Sequence, residues 1–472
     1  MMKFRNIQHI HFVGIGGSGM NGIAEVLLNL GYAVSGSDLS ETEVTRRLVR
    51  LGGRVTRGHA ADNVAEAQVV VVSTAVRADN VEVVAARERG IPVIQRAEML
   101  AELMRMKFGV AIAGAHGKTT TTSLVATVLG EGGLDPTVVI GGRLNQYGAS
   151  AKLGKGEIMV AEADESDGSF LKLAPTVAVI TNLDAEHLDF YGGIEQIRDA
   201  FATFACKVPF YGAVILCLDE APLQALMARI DKRVITYGFT PQADLRAESL
   251  SIAPGGVRFE ATFKGQSLGE FTVPLAGRHN AQNAMAAICA GLDLGVEVEV
   301  IRRALAGFSG VGRRFERKGE KDGVAVVDDY GHHPTEVKAV LAAARESFSG
   351  RRLVVVFQPH RYSRTRDQME GFAQAFHGAD ALVLMDIYGA GEAPIPGVTS
   401  DALLAAVRGH GHRDARHVAG HEAVVAHLNA STAPGDVVLT MGAGDVWKVG
   451  EAFVTGTPPT DTPAVPKEHS VA

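Results

Sequence analysis

Lys118 and Thr119 close the run Gly114-Ala115-His116-Gly117-Lys118-Thr119, which follows the apolar stretch Phe108–Ala113. That order predicts a buried strand, a glycine loop, and a helix opening near Thr120. Glycines let backbone N–H groups turn inward around a phosphate, and the positive end of the helix dipole adds to the attraction. Lys118 is then placed to reach terminal phosphates, and the Thr119 hydroxyl to bind Mg²⁺. The first glycine stands two positions closer to the Gly-Lys pair than in the common G-x-x-x-x-G-K-[ST] loop. We read Gly114 to Thr120, His116 included, as an ATP-binding loop.

Two carboxylate-rich runs also follow apolar stretches. Glu162-Ala163-Asp164-Glu165-Ser166-Asp167 comes after Ile158–Ala161, and Asp184-Ala185-Glu186-His187-Leu188-Asp189 after Val177–Thr181. Acids at strand C-termini lie where open α/β sheets bind ligands. Carboxylates there suit Mg²⁺, which takes oxygen ligands; a solvated acidic loop is the alternative. His187 binds a metal only as neutral imidazole, and a lone surface histidine is the other reading. Gly277-Arg278-His279-Asn280 opens a further helix that includes Asn283. Asparagine amides match the donor–acceptor edge of adenine, although Asn280 serves equally well as a helix cap.

A second glycine loop, Gly14-Ile15-Gly16-Gly17-Ser18-Gly19, stands between an expected strand (9–13) and an expected helix (21–30). This is the context of a dinucleotide-binding turn. Asp38, 19 positions after Gly19, ends the next strand, where an acid meets a ribose. Ser73 and Thr74, at the end of the apolar run from Val69, are grouped with this set. Such a loop suits the pyrophosphate of any nucleotide. With an ATP loop downstream, a nucleotide-linked substrate is more economical than NAD. Toward the C-terminus, two polar runs end strands: Asp328-Asp329-Tyr330-Gly331-His332-His333-Pro334 and Gln358-Pro359-His360-Arg361-Tyr362-Ser363-Arg364-Thr365-Arg366. Guanidinium groups pair bidentately with carboxylates, so Arg361 and Arg364 suit a clamp on a small acid. Structural ion pairs are the alternative.

The elements that position these residues alternate. Strands at 9–13, 33–37 and 69–73 precede the ATP loop; 158–161, 177–181 and 213–217 follow it. A third series begins at Val324, Leu353, Ala381 and Val437, with the spacing of βαβ crossovers. The fold class is α/β with three domains: an N-terminal Rossmann-like domain (1–107), a central P-loop ATPase with a mostly parallel sheet (108–311), and a C-terminal Rossmann-like domain (312–454). Residues 455–472 hold four prolines and read as a disordered tail. Gly310 and Gly312 mark a hinge, with Arg313 and Arg314 reaching phosphate on closure.

The chain of 472 residues is 46% hydrophobic and 21% charged, as in a globular protein. A net charge of −7 argues against nucleic acid or an anionic membrane as partner. Cys206, Cys217 and Cys289 lack metal-ligand spacing and read as reduced core residues. The N-terminus shows no signal-peptide pattern and no stretch has the length of a membrane span, so the expected location is cytoplasmic. Nothing in the sequence sets an oligomeric state.

Taken in order, GIGGSGM, AGAHGKTTTT, AEADESDGSF, TNLDAEHLD, AGRHNAQNA, GVGRRFE, DDYGHHPTEV, FQPHRYSRTRD and GEAPIPG resemble the Mur ligases, the ATP-dependent amide-forming family of peptidoglycan precursor synthesis. The resemblance covers residues 5 to 450. It implies a UDP-substrate site at Gly14, Gly16, Gly17, Ser18, Gly19, Asp38, Ser73 and Thr74. It implies that Lys118 contacts the ATP phosphates, that Thr119 and Glu162 hold one Mg²⁺, and that His187 holds a second. Asn280 and Asn283 would read adenine with His279 nearby, and Arg314 would join the ATP contacts. Tyr330, His332, Arg361 and Arg364 fall at the amino-acid side, with His332 a base by position only. Several members carry a carbamylated lysine about fifteen residues beyond the metal-binding histidine; here Ala202 stands there, as in the alanine-adding branch. The implied substrates are UDP-N-acetylmuramate and L-alanine, joined through an acyl phosphate. Alternatives are a recycling ligase that adds a tripeptide, a folylpolyglutamate synthase, an NAD-dependent dehydrogenase and a non-catalytic nucleotide sensor.

Overall fold

A computed structural model describes residues 4, 6–17, 19–73, 75–144, 149–253 and 255–458. Ser18, Thr74 and residues 459–472 of the expected tail lie outside the described residues. The last described helix, Trp447–Thr455, runs to the start of that tail.

The first sheet places β1 (His9–Val13) between β2 (Ala33–Asp38) and β4 (Val69–Val72). β3 (Arg54–Arg57) and β5 (Val93–Gln95) form its edges, and every pair is parallel. β1 is buried throughout, as a central parallel strand covered by helices on both faces must be. It nevertheless carries two histidines. His9 and His11 share the Ser35 hydroxyl at 2.8 Å each, and fully buried Glu82 accepts from Ser37 at 2.6 Å. Burial pushes the Glu82 carboxyl up, but His11, Ser37 and Asn63 hold it down at about 2.

The central sheet comprises β6 (Phe108–Ala113), β7 (Thr137–Leu144), β8 (Ala149–Lys152), β9 (Ile158–Glu162), β10 (Val177–Ile180), β11 (Ala213–Cys217), β12 (Val234–Gly238), β13 (Leu245–Ala253), β14 (Gly256–Phe263) and β15 (Gln266–Val273). Their order is β15-β14-β13-β12-β11-β10-β6-β9-β7-β8. β6 pairs in parallel with β9 on one side and β10 on the other. The chain therefore leaves β6 toward one edge and later returns to build the other. The loop after β6 opens at that reversal, where doubly wound sheets form their ligand crevice. Antiparallel pairs occur at both edges, β7 with β8 and β14 with β15.

In the third sheet, β17 (Val324–Asp329), β21 (Val437–Met441), β18 (Leu353–Phe357), β19 (Ala381–Leu384) and β20 (Ala415–His417) lie side by side and parallel. β16 (Glu316–Lys321) adds an antiparallel edge. Segment 252–255 aside, the first two sheets form one compact unit ending at Gly312, and the third forms another beginning at Arg313.

Candidate functional site

The helix Lys118–Glu131 begins at Lys118, two residues before the expected start. Gly117 is its N-cap in a left-handed conformation (φ 78°), and a Cβ there would meet Asn283 Oδ1 at 2.6 Å. At Gly114 (φ 136°) a Cβ would overlap the Thr181 hydroxyl at 2.1 Å. Both glycines are thus fixed by conformation and by neighbours.

The exit of β10 grips the loop's middle. Asn182 Oδ1 accepts the His116 N–H at 2.8 Å, and its Nδ2 donates to the His116 carbonyl at 3.0 Å. The Thr181 hydroxyl donates to that carbonyl at 2.6 Å. The His116 ring lies 2.9 Å from Asp184 Oδ2. Lys118 Nζ donates to the carbonyls of Gly114 (2.6 Å) and Ala115 (3.1 Å) and pairs with Glu165 Oε1 at 2.8 Å. Burial would lower the Lys118 pKa, but Glu165, Asp164 and Glu162 hold it raised, so the ammonium stays charged. The Thr119 hydroxyl is 3.1 Å from each oxygen of Glu162, which ends β9.

His187 stands at the N-terminus of the short helix Leu188–Tyr191 with left-handed φ 55°. Its Nε2 lies 3.9 Å from Glu165 Oε1 and 3.9 Å from Glu186 Oε2. Glu165, Glu186 and His187 each offer a ligand atom within 4.8 Å of the others, and Glu165 Oε2 is buried with no hydrogen-bond partner. A buried, unsatisfied carboxylate oxygen beside an imidazole fits a divalent cation. Glu165 and Glu186 carried no role in the sequence reading. Six residues hold four acids from Glu162 to Asp167, and spacing alone does not say which one turns inward.

Asn280 is the third residue of helix Arg278–Asp293, whose N-cap is Gly277, so Asn280 does not cap it. It donates to the Ala276 carbonyl at 2.7 Å and accepts from Asn283 Nδ2 at 3.1 Å. Asn283 Oδ1 in turn accepts from Thr121 at 3.1 Å. This buried chain joins the helix to the phosphate-loop helix; His279 beside it is partly exposed.

In the first sheet, Gly14 adopts φ 75° and Gly17 N–H donates to its carbonyl at 3.1 Å. Asp38 Oδ2 accepts the Gly16 N–H at 2.9 Å, so this carboxylate shapes the loop itself. Gly19 caps the helix Met20–Asn29, and Ser73 follows β4. A cavity of about 450 Å³ opens beside Asp38, lined in part by Thr45, Arg46, Arg50 and Arg57.

The second unit gathers its polar runs at the C-terminal ends of β17 and β18. The guanidiniums of Arg313 (5.1 Å) and Arg314 (5.0 Å) both approach the Tyr330 ring. Arg313 is held by buried Asp328 at 3.0 Å and by the carbonyls of Gly442 and Gly444 at 2.5 and 2.9 Å. It is therefore bound into its own unit. His332 Nδ1 is 3.0 Å from the Tyr330 carbonyl. Burial lowers its pKa to about 3 against the opposing charge of Glu336. Its ring meets His360 edge-on at 6.0 Å, and His360 stacks on Tyr388. Arg364 Nη1 lies 3.3 Å from His360 Nδ1. Arg361, with φ 72°, pairs through Nε with Glu392 Oε1 at 2.7 Å, the structural ion pair weighed as an alternative to a clamp. Glu392 was missed because it lies in a separate loop, GEAPIPG. Cys217 and Cys289 are core residues, whereas Cys206 is only partly buried.

Three family models match in succession: "Mur ligase family, catalytic domain" over residues 9–108, "Mur ligase middle domain" over 112–291, and "Mur ligase, glutamate ligase domain" over 313–444. The chain belongs to the Mur ligase family. Among Mur ligases, the UDP-N-acetylmuramate–L-alanine ligase of Geobacter sp. (strain M21) is 59% identical over 451 residues, spanning 96% of this chain and 98% of the relative. That of Geobacter sulfurreducens is 58% identical over 452 residues, with the same coverage. The solved UDP-N-acetylmuramate-alanine ligase of Thermotoga maritima matches with TM-score 0.80 and 30% identity, covering 95% of this chain and 98% of that one. A murein peptide ligase from Psychrobacter arcticus shares the fold (TM-score 0.71, 24% identity, 95% and 98% covered).

Proposed function

We infer that this chain is the ATP-dependent ligase that joins L-alanine to the carboxylate of UDP-N-acetylmuramate in peptidoglycan precursor synthesis, giving ADP, phosphate and UDP-N-acetylmuramoyl-L-alanine. The observation that carries the reading is 59% identity to an L-alanine ligase across 96% of the chain. A carboxylate is a poor electrophile. Transfer of the γ-phosphoryl group makes it an acyl phosphate, which the amine of alanine then attacks, releasing phosphate.

The first domain (1–107) takes the UDP substrate, the central domain (108–311) takes ATP, and the third (312–454) takes alanine. Lys118 leaves the loop carbonyls to meet the β- and γ-phosphates. Thr119 with Glu162, and His187 with its neighbours, would hold two Mg²⁺ ions, which neutralise charge building on the transferred phosphoryl group. His332 stands on the amino-acid side and is the proton acceptor by position only, since the burial that keeps it neutral also weakens it as a base, and Arg364 binds alanine's carboxylate. Substrates of this kind place the enzyme in the cytoplasm; among the described residues no helix is long and apolar enough to cross a membrane.

The test is phosphate release from ATP and Mg²⁺ with UDP-N-acetylmuramate, with and without L-alanine. Release that needs both, with a product heavier by one alanyl residue, is expected. Release only with L-Ala-γ-D-Glu-meso-diaminopimelate would replace this reading with the recycling activity.

A further inference from the structure

The two oxygens of the Glu165 carboxylate are unequally satisfied. Oε1 pairs with Lys118 at 2.8 Å, while Oε2 is buried and has no hydrogen-bond partner. The side chain is only 5% exposed. An unsatisfied buried carboxylate oxygen costs free energy unless something charged arrives to meet it. The groups around it are His187, with Nε2 3.9 Å from Oε1, and Glu186, whose ligand atom falls in the same cluster. The Tyr191 hydroxyl donates to the Glu165 backbone carbonyl at 2.6 Å, which fixes the main chain and leaves the carboxylate to its own partners. Two carboxylates and one imidazole form a donor set suited to Mg²⁺ or Mn²⁺.

We propose that Glu165 and Glu186 complete the His187 cation site, and that Glu165 exchanges its partner: the Lys118 ammonium without nucleotide, a divalent cation with it. The physical reason is charge balance. Burial raises the pKa of Glu165, so the carboxylate stays ionised only beside a counter-charge, and an ammonium and a divalent cation on one carboxylate repel each other. When nucleotide phosphates draw Lys118 away, Oε1 and Oε2 both become available to the cation. When nucleotide leaves, Lys118 returns, and the cation loses its strongest anionic ligand. The inference rests on the ligase reading for the identity of the cation alone.

Mn²⁺ titration followed by electron paramagnetic resonance tests this without turnover, using full-length protein with and without a non-hydrolysable ATP analogue. Wild type should show two Mn²⁺ with the analogue present. Glu165→Gln should lose the weaker one, or weaken it by roughly 10-fold or more, while keeping the one at Glu162. Unchanged stoichiometry and affinity in Glu165→Gln would overturn the site. Lys118→Ala supplies a second arm that needs no change at the carboxylate: without nucleotide, it should bind Mn²⁺ more tightly than wild type. Equal affinity there would overturn the exchange. Normal Mn²⁺ behaviour without alanine-dependent phosphate release would sink the ligase reading and leave this site standing.

Discussion

Asn182 grips His116 by both of its backbone polar groups, accepting the N–H at 2.8 Å and donating to the carbonyl at 3.0 Å. A side chain just beyond one strand thus supplies the loop's middle with both a donor and an acceptor, beside the Thr181 hydroxyl. The arrangement holds the phosphate loop's shape before any phosphate arrives, so binding need not spend energy on ordering it.

Asn182→Ala should therefore weaken ATP more than it weakens the chain. Two lost hydrogen bonds, at about 1 kcal/mol each, correspond to a rise in ATP KM of roughly 10- to 30-fold. The KM for UDP-N-acetylmuramate should stay near wild type. Equal changes in both constants would show a general loss of structure instead.

Removing the metal and phosphate contacts should strike turnover. Thr119→Ala and Glu162→Gln are each expected to lower kcat by on the order of 10²-fold or more. The pair meets at 3.1 Å, so the double variant should cost much less than the product of the two single effects. Steady-state phosphate release measures all three. Full multiplicativity would mean that the two groups act separately.

Arg361 and Arg364 look alike in sequence but turn to different partners, Glu392 and His360. Arg364→Ala should raise alanine KM by roughly 10-fold or more, the size of a charged hydrogen bond, with ATP KM unaltered. Arg361→Ala should resemble Glu392→Gln, because the two residues form one pair. An alanine saturation curve unaffected by Arg364→Ala would remove the clamp.

The pH dependence of stability carries a signature of His332. Its pKa in the folded chain is lowered to about 3 by burial, below the ordinary 6.5. The unfolded chain takes up the proton first, so this contribution is present above pH 6.5 and is lost as pH falls toward 3. His332→Gln should accordingly lose less stability than wild type across that window, as measured by urea denaturation at a series of pH values. Parallel curves would place the acid sensitivity elsewhere.

Arg313 should prove structural. Its ion pair with fully buried Asp328 means that Arg313→Ala strands a charge, at a cost of about 3 kcal/mol or more. Urea midpoints for Arg313→Ala and Asp328→Asn should fall together. Retained stability with a raised ATP KM would restore the phosphate-contact role instead.

Much of this was legible from residues in order. Apolar runs of the right length preceded Lys118, Glu162, His187 and Tyr330, and each became a strand whose C-terminal end leads toward its polar group. β3, β5 and β20 escaped because they are three or four residues long and partly exposed. β13 to β15 escaped because charged residues break up any continuous apolar run, although β14 alternates buried and exposed residues from Val257 to Ala261. In the site, the sequence marked which runs mattered but not the partner of each group. Arg361 caps the short helix that carries Arg364 three positions on, yet one turns to Glu392 and the other to His360. Those partners lie 31 and 4 positions away, and only the packed loops decide between them. His11 and Glu82 gave no signal, since a buried network is built from residues that read as ordinary surface polars.

The position of β6 has a consequence for the newborn chain. β6 pairs Val110 with Val177 and Phe108 with Ile158, and its loop is gripped by Asn182. A ribosome that has released only the segment through Lys118 has made the loop's sequence but none of its walls. The ability to hold ATP therefore arises late, after Asn182 has cleared the exit tunnel. Once the helix that carries Asn283 has also emerged and packed on the loop helix, nucleotide that binds the folded loop but not the unfolded chain stabilises this unit before the third sheet has been translated.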